Sequence, residues 1–255
     1  MKENFLPVSA VIITRNEERN IKDCLESARG FDEIVVVDAF SEDRTVEICR
    51  DYTDRIYQQS WQGFSRQKQI AVDHARNIWI LILDADERVT PGLFREIQAT
   101  LNSTQHSGFY IPRKNYFLGK WIKHSGWWPD YTLRLFRKDV SRLDQRAVHE
   151  KVVVNGSAGR LSSPLEHYTY RTISDYLGKM EVYSSLAAEE MQKERRPSSI
   201  INMIINPAVT FLKMFFIRQG FRDGIYGFVL AVLYSYYTFI KYAKNWEQNI
   251  HRQYE

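Results

Sequence analysis

Residues 78–87 of the chain read IWILILDADE. Six apolar residues in succession leave no polar face, which is typical of a central strand of a parallel sheet, buried on both sides. Open parallel sheets bind ligands at the carboxyl ends of their strands, so the acidic residues that follow stand where a site is expected. The stretch therefore predicts an α/β fold with an acidic functional edge.

The segments before this strand alternate between strand and helix patterns. Residues 8–14 are an apolar run, and residues 17–28 carry apolar side chains at helical spacing. The alternation continues with a strand at 33–37, a helix at 43–51, a strand at 55–57 and a helix at 64–76. Such regular alternation predicts an open, mostly parallel sheet flanked by helices.

The pattern becomes mixed after residue 90. Thr is a good helix cap and Pro is favoured at a first helical position, so a helix is expected to begin at Thr90-Pro91. From residue 108 we predict strands and an aromatic-rich loop, with a further strand at 151–155 and one helix at 172–195. This half predicts a mixed rather than a regularly parallel arrangement.

Composition limits the class of protein. With 255 residues, of which 44% are hydrophobic, the chain can bury one substantial core. Its net charge of +4 is too small to indicate a nucleic-acid partner. The two cysteines lie among predicted core residues, and the first residues show no signal-peptide pattern, which together favour a reducing compartment.

The C-terminal region contains two apolar stretches, 200–217 and 225–240. The first is interrupted by Asn206-Pro207 and Lys213, and the second is shorter than the roughly 20 residues that span a bilayer. We therefore expect both to form helices that lie in the membrane interface, with nearby cations meeting lipid phosphates. These cations are Lys213, Arg218, Arg222, Lys241 and Lys244. The alternative is a dimer interface or a helical pair packed on the first domain.

Asp84 and Asp86 are the sharpest signal for chemistry. They are two residues apart, so in an extended chain their carboxylates point the same way from the rim of the sheet. Such a pair can hold Mg²⁺ or Mn²⁺ and leave coordination positions for diphosphate oxygens. The alternative is that both acids cap the next helix or remain solvated.

Polar residues also follow the first two predicted strands. Thr14, Arg15 and Glu17 follow the first strand, and Asp38 follows the second. A carboxylate at that place can accept a hydrogen bond from a nucleobase N–H or a ribose hydroxyl. The alternative for Asp38 is an Asx turn that opens the next segment. No glycine follows the first strand, which argues against a dinucleotide fingerprint and against the phosphate loop of sugar nucleotidyltransferases.

Further candidates lie on the fourth predicted segment and in the second half. Gln67 and Lys68 are near the start of a helix, where a cation would offset diphosphate charge or remain solvated. Glu150 follows a histidine just before the strand at 151–155, and a glutamate near an acceptor hydroxyl can act as a general base. An exposed pair at a strand start is the alternative. The other polar candidates in this half are Asp130, Arg134, Arg137, His149 and His167.

Three motifs occur in order along the chain: VIITRNEE at 11–18, IVVVDAFSEDRT at 34–45 and ILILDADE at 80–87. Together they resemble the family 2 glycosyltransferases of GT-A fold over about residues 7–170. RLFRK at 134–138 and AVHEKV at 147–152 extend the similarity to the bacterial lipopolysaccharide core enzymes that add a β-linked glucose to an inner-core heptose.

The resemblance implies two regions. A GT-A catalytic domain at 1–170 would comprise a nucleotide-sugar half, about 1–105, and an acceptor half, about 106–170. A helical, membrane-associating region would follow at 171–255. The donor-binding residues would be Thr14, Arg15, Glu17, Asp38, Gln67, Lys68 and Asp84.

The resemblance also implies a metal site and a base. Asp86 would be the more direct ligand of a divalent metal, Asp84 would be its D-x-D partner, and His167 would complete the site. Family members carry the general base in a later E-D pair, which this chain lacks in the expected region. Glu150 is the nearest counterpart, and Asp130 is the reserve.

The implied reaction is an in-line displacement with inversion, which moves a hexose, glucose, from a UDP-sugar to a lipopolysaccharide inner-core acceptor. It would take place at the cytoplasmic face of the inner membrane, to which the protein would bind peripherally. A homo-oligomer is compatible with this arrangement. A polyprenyl-phosphate or other cell-envelope glycan transferase shares the motifs. The non-enzyme alternative is a membrane-docked protein that binds nucleotide-sugars without turnover.

Overall fold

The computed structural model describes residues 5–144, 151–194 and 199–254. The strands are β1 (Leu6–Thr14), β2 (Phe31–Asp38), β3 (Ile56–Gln58), β4 (Trp79–Asp84), β5 (Glu87–Val89), β6 (Gly108–Phe117), β7 (Lys120–Trp121), β8 (Asp130–Arg137), β9 (Ser141–Leu143), β10 (Val152–Val154), β11 (Ala158–Arg160) and β12 (Leu165–Tyr170). The α-helices are α1 (Ile21–Ser27), α2 (Thr45–Arg50), α3 (Phe64–His74), α4 (Pro91–Leu101), α5 (Ile173–Lys193), α6 (Ile200–Leu212) and α7 (Ile225–Tyr254).

Within the described residues, ten strands form one sheet whose main path runs β3-β2-β1-β4-β8-β6-β12-β5. β1, β2, β3 and β4 pair in parallel. β8 then joins β4 antiparallel, and β6 with β8 and β12 with β5 are also antiparallel. The prediction of an open mixed sheet with a parallel first half, flanked by helices, is confirmed.

Side chains of the central strands alternate between two apolar clusters. Ile12 and Leu83 belong to one cluster, which includes residues of α1 and α4. Val37 and Ile82 belong to the other, which includes residues of α3. Because successive residues of a strand face opposite sides, the two clusters cover both faces of the parallel half. This double coverage is why β1, β2 and β4 are nearly continuous apolar runs.

Helix starts follow the sequence where the capping bonds are local. α4 begins at Pro91 as predicted, and the Thr90 hydroxyl accepts the backbone N–H of Leu93 at 3.1 Å. α5 opens with a capping box between Thr172 and Asp175. In both cases the bonds join residues three positions apart, so the sequence alone is sufficient to place the helix start.

The first helix begins later than its periodicity predicts, at Ile21 instead of residue 17. The backbone N–H groups of Asn16 and Glu17 donate to the hydroxyls of Ser41 and Thr45, each at 2.8 Å. These bonds join residues 25 and 28 positions apart and hold residues 16 and 17 in a loop, in which the positive φ of Asn16, 54°, is incompatible with a helix. Local pattern cannot reveal such long-range bonds.

The chain separates into two compact units. Unit 1 contains residues 1–114 and 130–167, and unit 2 contains residues 115–129 and 168–255. Unit 2 has its own core, in which Phe117, Ile122 and Trp127 pack with Met214 and Leu230. The segment 115–129, which the sequence analysis placed in the acceptor half, therefore packs with the C-terminal helices.

Unit 2 also exposes an apolar helical surface. The exposed fractions of Ile200, Ile204 and Ile217 are 72%, 63% and 76%. Among the described residues, Ile200–Ile217 is the one segment long and apolar enough to cross a membrane, judged by length and composition. Exposed contiguous apolar surface marks an interaction site, for either a membrane or another protein.

We predict that Ile80→Ala lowers the free energy of unfolding by about 2–5 kcal/mol, because it leaves a cavity in a fully packed strand. Ile80 is 0% exposed, whereas Ile78 is 53% exposed and is the matched control. Urea denaturation followed by circular dichroism measures both variants. Equal losses in Ile80→Ala and Ile78→Ala would contradict the two-sided burial of β4.

Candidate active site

Three neighbouring strands end in polar residues at one edge of the sheet in unit 1. Thr14 at the end of β1 pairs in register with Asp38 at the end of β2. Ile13, beside Thr14, pairs with Asp84 at the end of β4. Adjacent strands lie about 4.8 Å apart, so the structure brings these three predicted site residues together at the carboxyl edge.

Asp38 is fully buried, with 0% of its surface exposed. Its carboxylate accepts hydrogen bonds from the backbone N–H and the hydroxyl of Ser41, at 2.9 and 2.5 Å. A third bond comes from the side-chain amide of Gln58 at 3.4 Å. This is the Asx-turn arrangement, in which Asp38 holds the loop that follows β2.

Thr14 and Gln67 present buried polar atoms without partners. Thr14 is 4% exposed and Gln67 is 0% exposed. Within the described residues, neither the Thr14 hydroxyl nor the Gln67 carbonyl oxygen makes a hydrogen bond, although the Gln67 amide nitrogen donates to the Gln59 carbonyl at 3.2 Å. Buried polar groups are normally paired, so two orphans beside one strand edge indicate a place for a polar ligand.

The loop after β1 is held tightly to the loop after β2. Besides the bonds to Ser41 and Thr45, the side chain of Asn16 accepts the backbone N–H of Glu42 at 2.8 Å. Asn16 has a positive φ of 54°, which turns the chain before helix α1. Arg15 and Asn16 are both exposed. The side chain of Glu17 accepts a bond from Asn20 at 2.7 Å. Arg15 is thus an exposed cation on a well-supported loop.

Asp84 is paired with two cations. Its Oδ1 lies 2.9 Å from the Lys68 ammonium, and its Oδ2 accepts from the Arg134 guanidinium at 2.5 Å. Burial alone would raise the pKa of Asp84, but the charges of Arg134 and Lys68 outweigh it and hold that pKa well below its ordinary value. Asp84 is therefore a carboxylate at neutral pH, and Lys68 is an almost fully buried partner of it rather than a solvated lysine.

The same arginine extends the pairing to a second carboxylate. Arg134 also donates to Glu87 at 2.6 Å, and Arg113 lies 3.6 Å from Glu87 and 2.6 Å from Asp130. Burial acts to lower the pKa of Arg134, but Asp84 and Glu87 raise it above its ordinary value. We call these six residues the charge network: Lys68, Asp84, Arg134, Glu87, Arg113 and Asp130. The network carries three positive and three negative charges and brings Asp130 into electrostatic contact with the strand edge.

Asp86 takes a different partner. The chain turns at Ala85 and Asp86, so the extended geometry assumed from the sequence ends at Asp84. Antiparallel pairing of β5 with β12 places His167 opposite Glu87, and Asp86 Oδ1 lies 3.5 Å from His167 Nε2. Both side chains are almost buried, at 11% and 12% exposed. The structure thus brings together two of the three predicted metal ligands, while Asp84 is held by cations.

Glu150 and Asp130 are the two predicted candidates for the general base. Glu150 lies outside the described residues. The side chain of Asp130 is 31% exposed and sits at the start of β8. Across residues 5–144, 151–194 and 199–254, no cluster of three or more His, Cys, Asp or Glu side chains has metal-site geometry. Sequence reasoning overlooked Glu87 and Arg113 as members of the site, because only the strand pairing shows that they meet.

Comparison with known proteins identifies the family. The model of the family described as glycosyl transferase family 2 matches residues 9–169. The lipopolysaccharide core biosynthesis glycosyltransferase LpsC of Rhizobium meliloti (strain 1021) is 30% identical over 253 residues, which cover 96% of this chain and 93% of LpsC. An uncharacterised glycosyltransferase of Rickettsia typhi is 29% identical, over 93% of this chain and 86% of its own length.

Two solved structures are similar in fold. The mannosyltransferase PcManGT from Pyrobaculum calidifontis, in complex with GDP-Man and Mn²⁺, has a TM-score of 0.54 at 13% identity, covering 95% of this chain and 88% of its own. S. aureus TarS 1-349 in complex with UDP-GlcNAc has a TM-score of 0.50 at 13% identity, covering 97% and 92%. At such identity the likeness concerns the fold alone.

The mixed sheet flanked by helices is a GT-A type fold. The chain belongs to glycosyl transferase family 2. Both the family resemblance of the three motifs and the closer similarity to lipopolysaccharide core enzymes are thereby confirmed.

We predict that Arg134→Gln lowers the free energy of unfolding by about 3–5 kcal/mol, because it leaves the fully buried Glu87 and the half-buried Asp84 without the charge of Arg134. The loss should be constant above about pH 5. It should shrink at lower pH, since a carboxylate with a pKa held below 3.8 contributes stability that disappears as it is protonated. Urea denaturation at a series of pH values measures the difference.

Arg137→Gln is the matched control for this prediction. Arg137 lies three residues further along β8 and pairs with Asp139 on the exposed surface, so its loss should change stability little at any pH. A stability loss in Arg137→Gln as large as that in Arg134→Gln would show that the burial of the charge network is not the cause.

Proposed function

We propose that this chain is a metal-dependent, inverting hexosyltransferase that moves glucose from UDP-glucose to a lipopolysaccharide inner-core acceptor at the cytoplasmic face of the membrane. The carrying observation is the carboxyl edge of β1, β2 and β4, where Thr14, Asp38 and Asp84 converge beside the Asp86–His167 pair. Membership of the family and the similarity to LpsC along nearly the whole chain support the proposal.

The orphaned polar atoms supply the proposed nucleoside contacts. The Thr14 hydroxyl and the Gln67 carbonyl are buried and unpaired in the described residues, so a uracil or ribose group would satisfy them. Arg15 and Glu17 would frame the base from the loop after β1. We assign Asp38 the role of fixing this loop pair, because its carboxylate is already occupied by Ser41 and Gln58.

The residues near Asp86 fit a divalent metal. Asp86 Oδ1 and His167 Nε2 lie 3.5 Å apart, so both side chains could bind one ion between them. A carboxylate suits Mg²⁺ and Mn²⁺, and an imidazole favours a transition metal, so we propose Mn²⁺ held by Asp86 and His167. Bound there, the metal would neutralise charge on the departing diphosphate.

Lys68 and Asp84 would act on the diphosphate as charges held in fixed positions. Lys68 is 3% exposed and Asp84 binds it directly, so the pair keeps a fixed charge pattern under the diphosphate site. Fixed charges in a dry site stabilise developing charge without reorganising at the moment of reaction. We therefore propose that Asp84 orients Lys68 and Arg134 and does not bind the metal directly.

Two residues compete for the role of general base. Asp130 is partly exposed, and Arg113 holds its Oδ2 at 2.6 Å, so the carboxylate is oriented and reachable by an acceptor hydroxyl. Glu150 is the counterpart suggested by the family motif. We propose that one of these two carboxylates takes the proton of the acceptor as it attacks the anomeric carbon.

Isothermal titration calorimetry tests the donor site. We expect wild-type protein to bind UDP and UDP-glucose with Mn²⁺ more tightly than without it, and GDP-mannose more weakly. Asp86→Ala should weaken metal-dependent UDP binding by more than about tenfold, since even outer partners of a metal ligand contribute that much. Asp51→Ala, an exposed aspartate after α2, is the control. Absence of binding to every nucleotide would refute the transferase proposal.

Steady-state kinetics with Asp130→Asn and Glu150→Gln separates the two candidate bases. Loss of the base should lower kcat by about 10²–10⁴-fold and leave UDP-glucose binding unchanged. Asp139→Asn, exposed near the end of β8, is the control and should keep full activity. If both variants keep wild-type kcat, neither carboxylate is the base. Donor binding without turnover in the wild type would favour a nucleotide-sugar-binding protein.

A further inference from the structure

Unit 2 contains a pocket of about 320 Å³. Its lining includes Ser125 and Trp127 from the segment 115–129, Lys213 and Arg218 near the end of the α6 region, and Tyr234 of α7. Two of the lining residues are cations and none is acidic. We call it the unit 2 pocket.

The two cations are available to a ligand. Within the described residues, neither Lys213 nor Arg218 has a carboxylate within ion-pair distance through its side chain. Both side chains belong to exposed residues. A pocket with two cations and no anion has a positive potential and favours a group with at least one negative charge.

Ser125 provides an independent sign of a missing ligand. It is 1% exposed and lines the pocket, yet its hydroxyl makes no hydrogen bond within the described chain. Its backbone N–H donates to the Arg218 carbonyl at 2.9 Å, so the hydroxyl is held beside the arginine. A buried hydroxyl without a partner is destabilising, and an anionic oxygen in the pocket would accept its hydrogen bond.

The loop that carries Ser125 is held by hydrogen bonds to Asp223. Asp223 is 4% exposed and accepts the backbone N–H of His124 at 2.8 Å and of Lys123 at 3.3 Å. Gly126 has a φ of +81°, and a Cβ on it would lie 2.3 Å from the Arg218 guanidinium. The glycine lets the backbone pass directly against the arginine, so the cation and the hydroxyl are preorganised for one ligand.

The surroundings of the pocket are apolar and exposed. Leu212 beside Lys213 is 51% exposed, and Phe216 and Ile217 beside Arg218 are 55% and 76% exposed. This surface continues the exposed face of α6 described above. Cations at the border of an exposed apolar face match the arrangement of a membrane surface, where phosphates lie just outside the acyl chains.

We propose that the unit 2 pocket binds the phosphate group of an anionic membrane phospholipid while the adjoining apolar surface enters the acyl region. Lys213 and Arg218 neutralise the phosphate, and Ser125 donates its hydroxyl to a phosphate oxygen. The proposal rests on the membrane location given under the proposed function, and it adds a defined lipid site to it.

Vesicle flotation with the full chain tests this site. The vesicles consist of digalactosyldiacylglycerol, which has no phosphate, either alone, with phosphatidylglycerol, or with an ionised fatty acid adjusted to equal surface charge. We expect stronger binding to the phosphatidylglycerol vesicles than to the fatty-acid vesicles. The double variant K213Q/R218Q should lose this preference, with about fivefold weaker binding for each cation removed.

Two further variants isolate the pocket from general charge and from folding. Ser125→Ala should reduce the preference for phosphatidylglycerol. Its midpoint temperature of thermal unfolding should be unchanged or slightly higher, because the substitution removes an unpaired buried hydroxyl. Arg222 is exposed, lies outside the pocket lining and bonds Gln219, so Arg222→Gln should weaken binding to both charged vesicles equally.

Equal binding of the wild type to the two charged vesicles, or a preference that survives in the double variant, would overturn the pocket and leave the membrane location standing. Loss of the preference on addition of free glycerol phosphate at the same total concentration would assign the pocket to a soluble phosphate and overturn the lipid. Absence of binding to all vesicles would overturn the membrane location too, whereas the donor proposal is judged by nucleotide calorimetry.

Discussion

The pairing of Asp84 with Lys68 and Arg134 is the interaction on which the organisation of the site depends. Two cations and a carboxylate taken out of water are costly unless each finds a partner at good geometry. Here the partners come from α3, β4 and β8, so the pairing requires that β8 join β4 antiparallel and that α3 cover the sheet. The parallel and antiparallel halves of the sheet are therefore joined by the ion pairs of the charge network as well as by the backbone hydrogen bonds between β4 and β8.

This requirement explains why the acidic residues of the DADE stretch at 84–87 have different partners. Asp84 ends a buried strand and forms ion pairs with Lys68 and Arg134. Asp86 follows in a turn and lies beside His167 of β12. Glu87 receives the backbone N–H of Asp84 at 3.0 Å and the Arg134 guanidinium. Three acids within four residues thus differ in their burial and in their sets of partners.

Unit 2 combines an apolar core with an exposed apolar surface. Its core is built from aromatic and aliphatic side chains of the segment 115–129 and the C-terminal helices, yet much of α6 remains apolar and exposed. Burial of apolar surface stabilises a fold by roughly 25 cal/mol per Å², so leaving isoleucines exposed forgoes stability unless another apolar phase covers them. At the proposed membrane location, acyl chains would cover this surface and lipid phosphates would meet the cations beside it.

The sequence by itself determined the open α/β sheet, the helix starts at Pro91 and Ile173, and the strand ends at which the site lies. Each of these depends on local information: apolar runs, helical spacing, and caps between residues three apart. Only the tertiary structure decided which partners the predicted site residues have. Asp38 is occupied by Ser41 and Gln58, Lys68 is the partner of Asp84, and Arg113 and Glu87 join the network. These contacts join residues from separate strands and helices, and a single sequence carries no record of which distant side chains meet when the sheet closes.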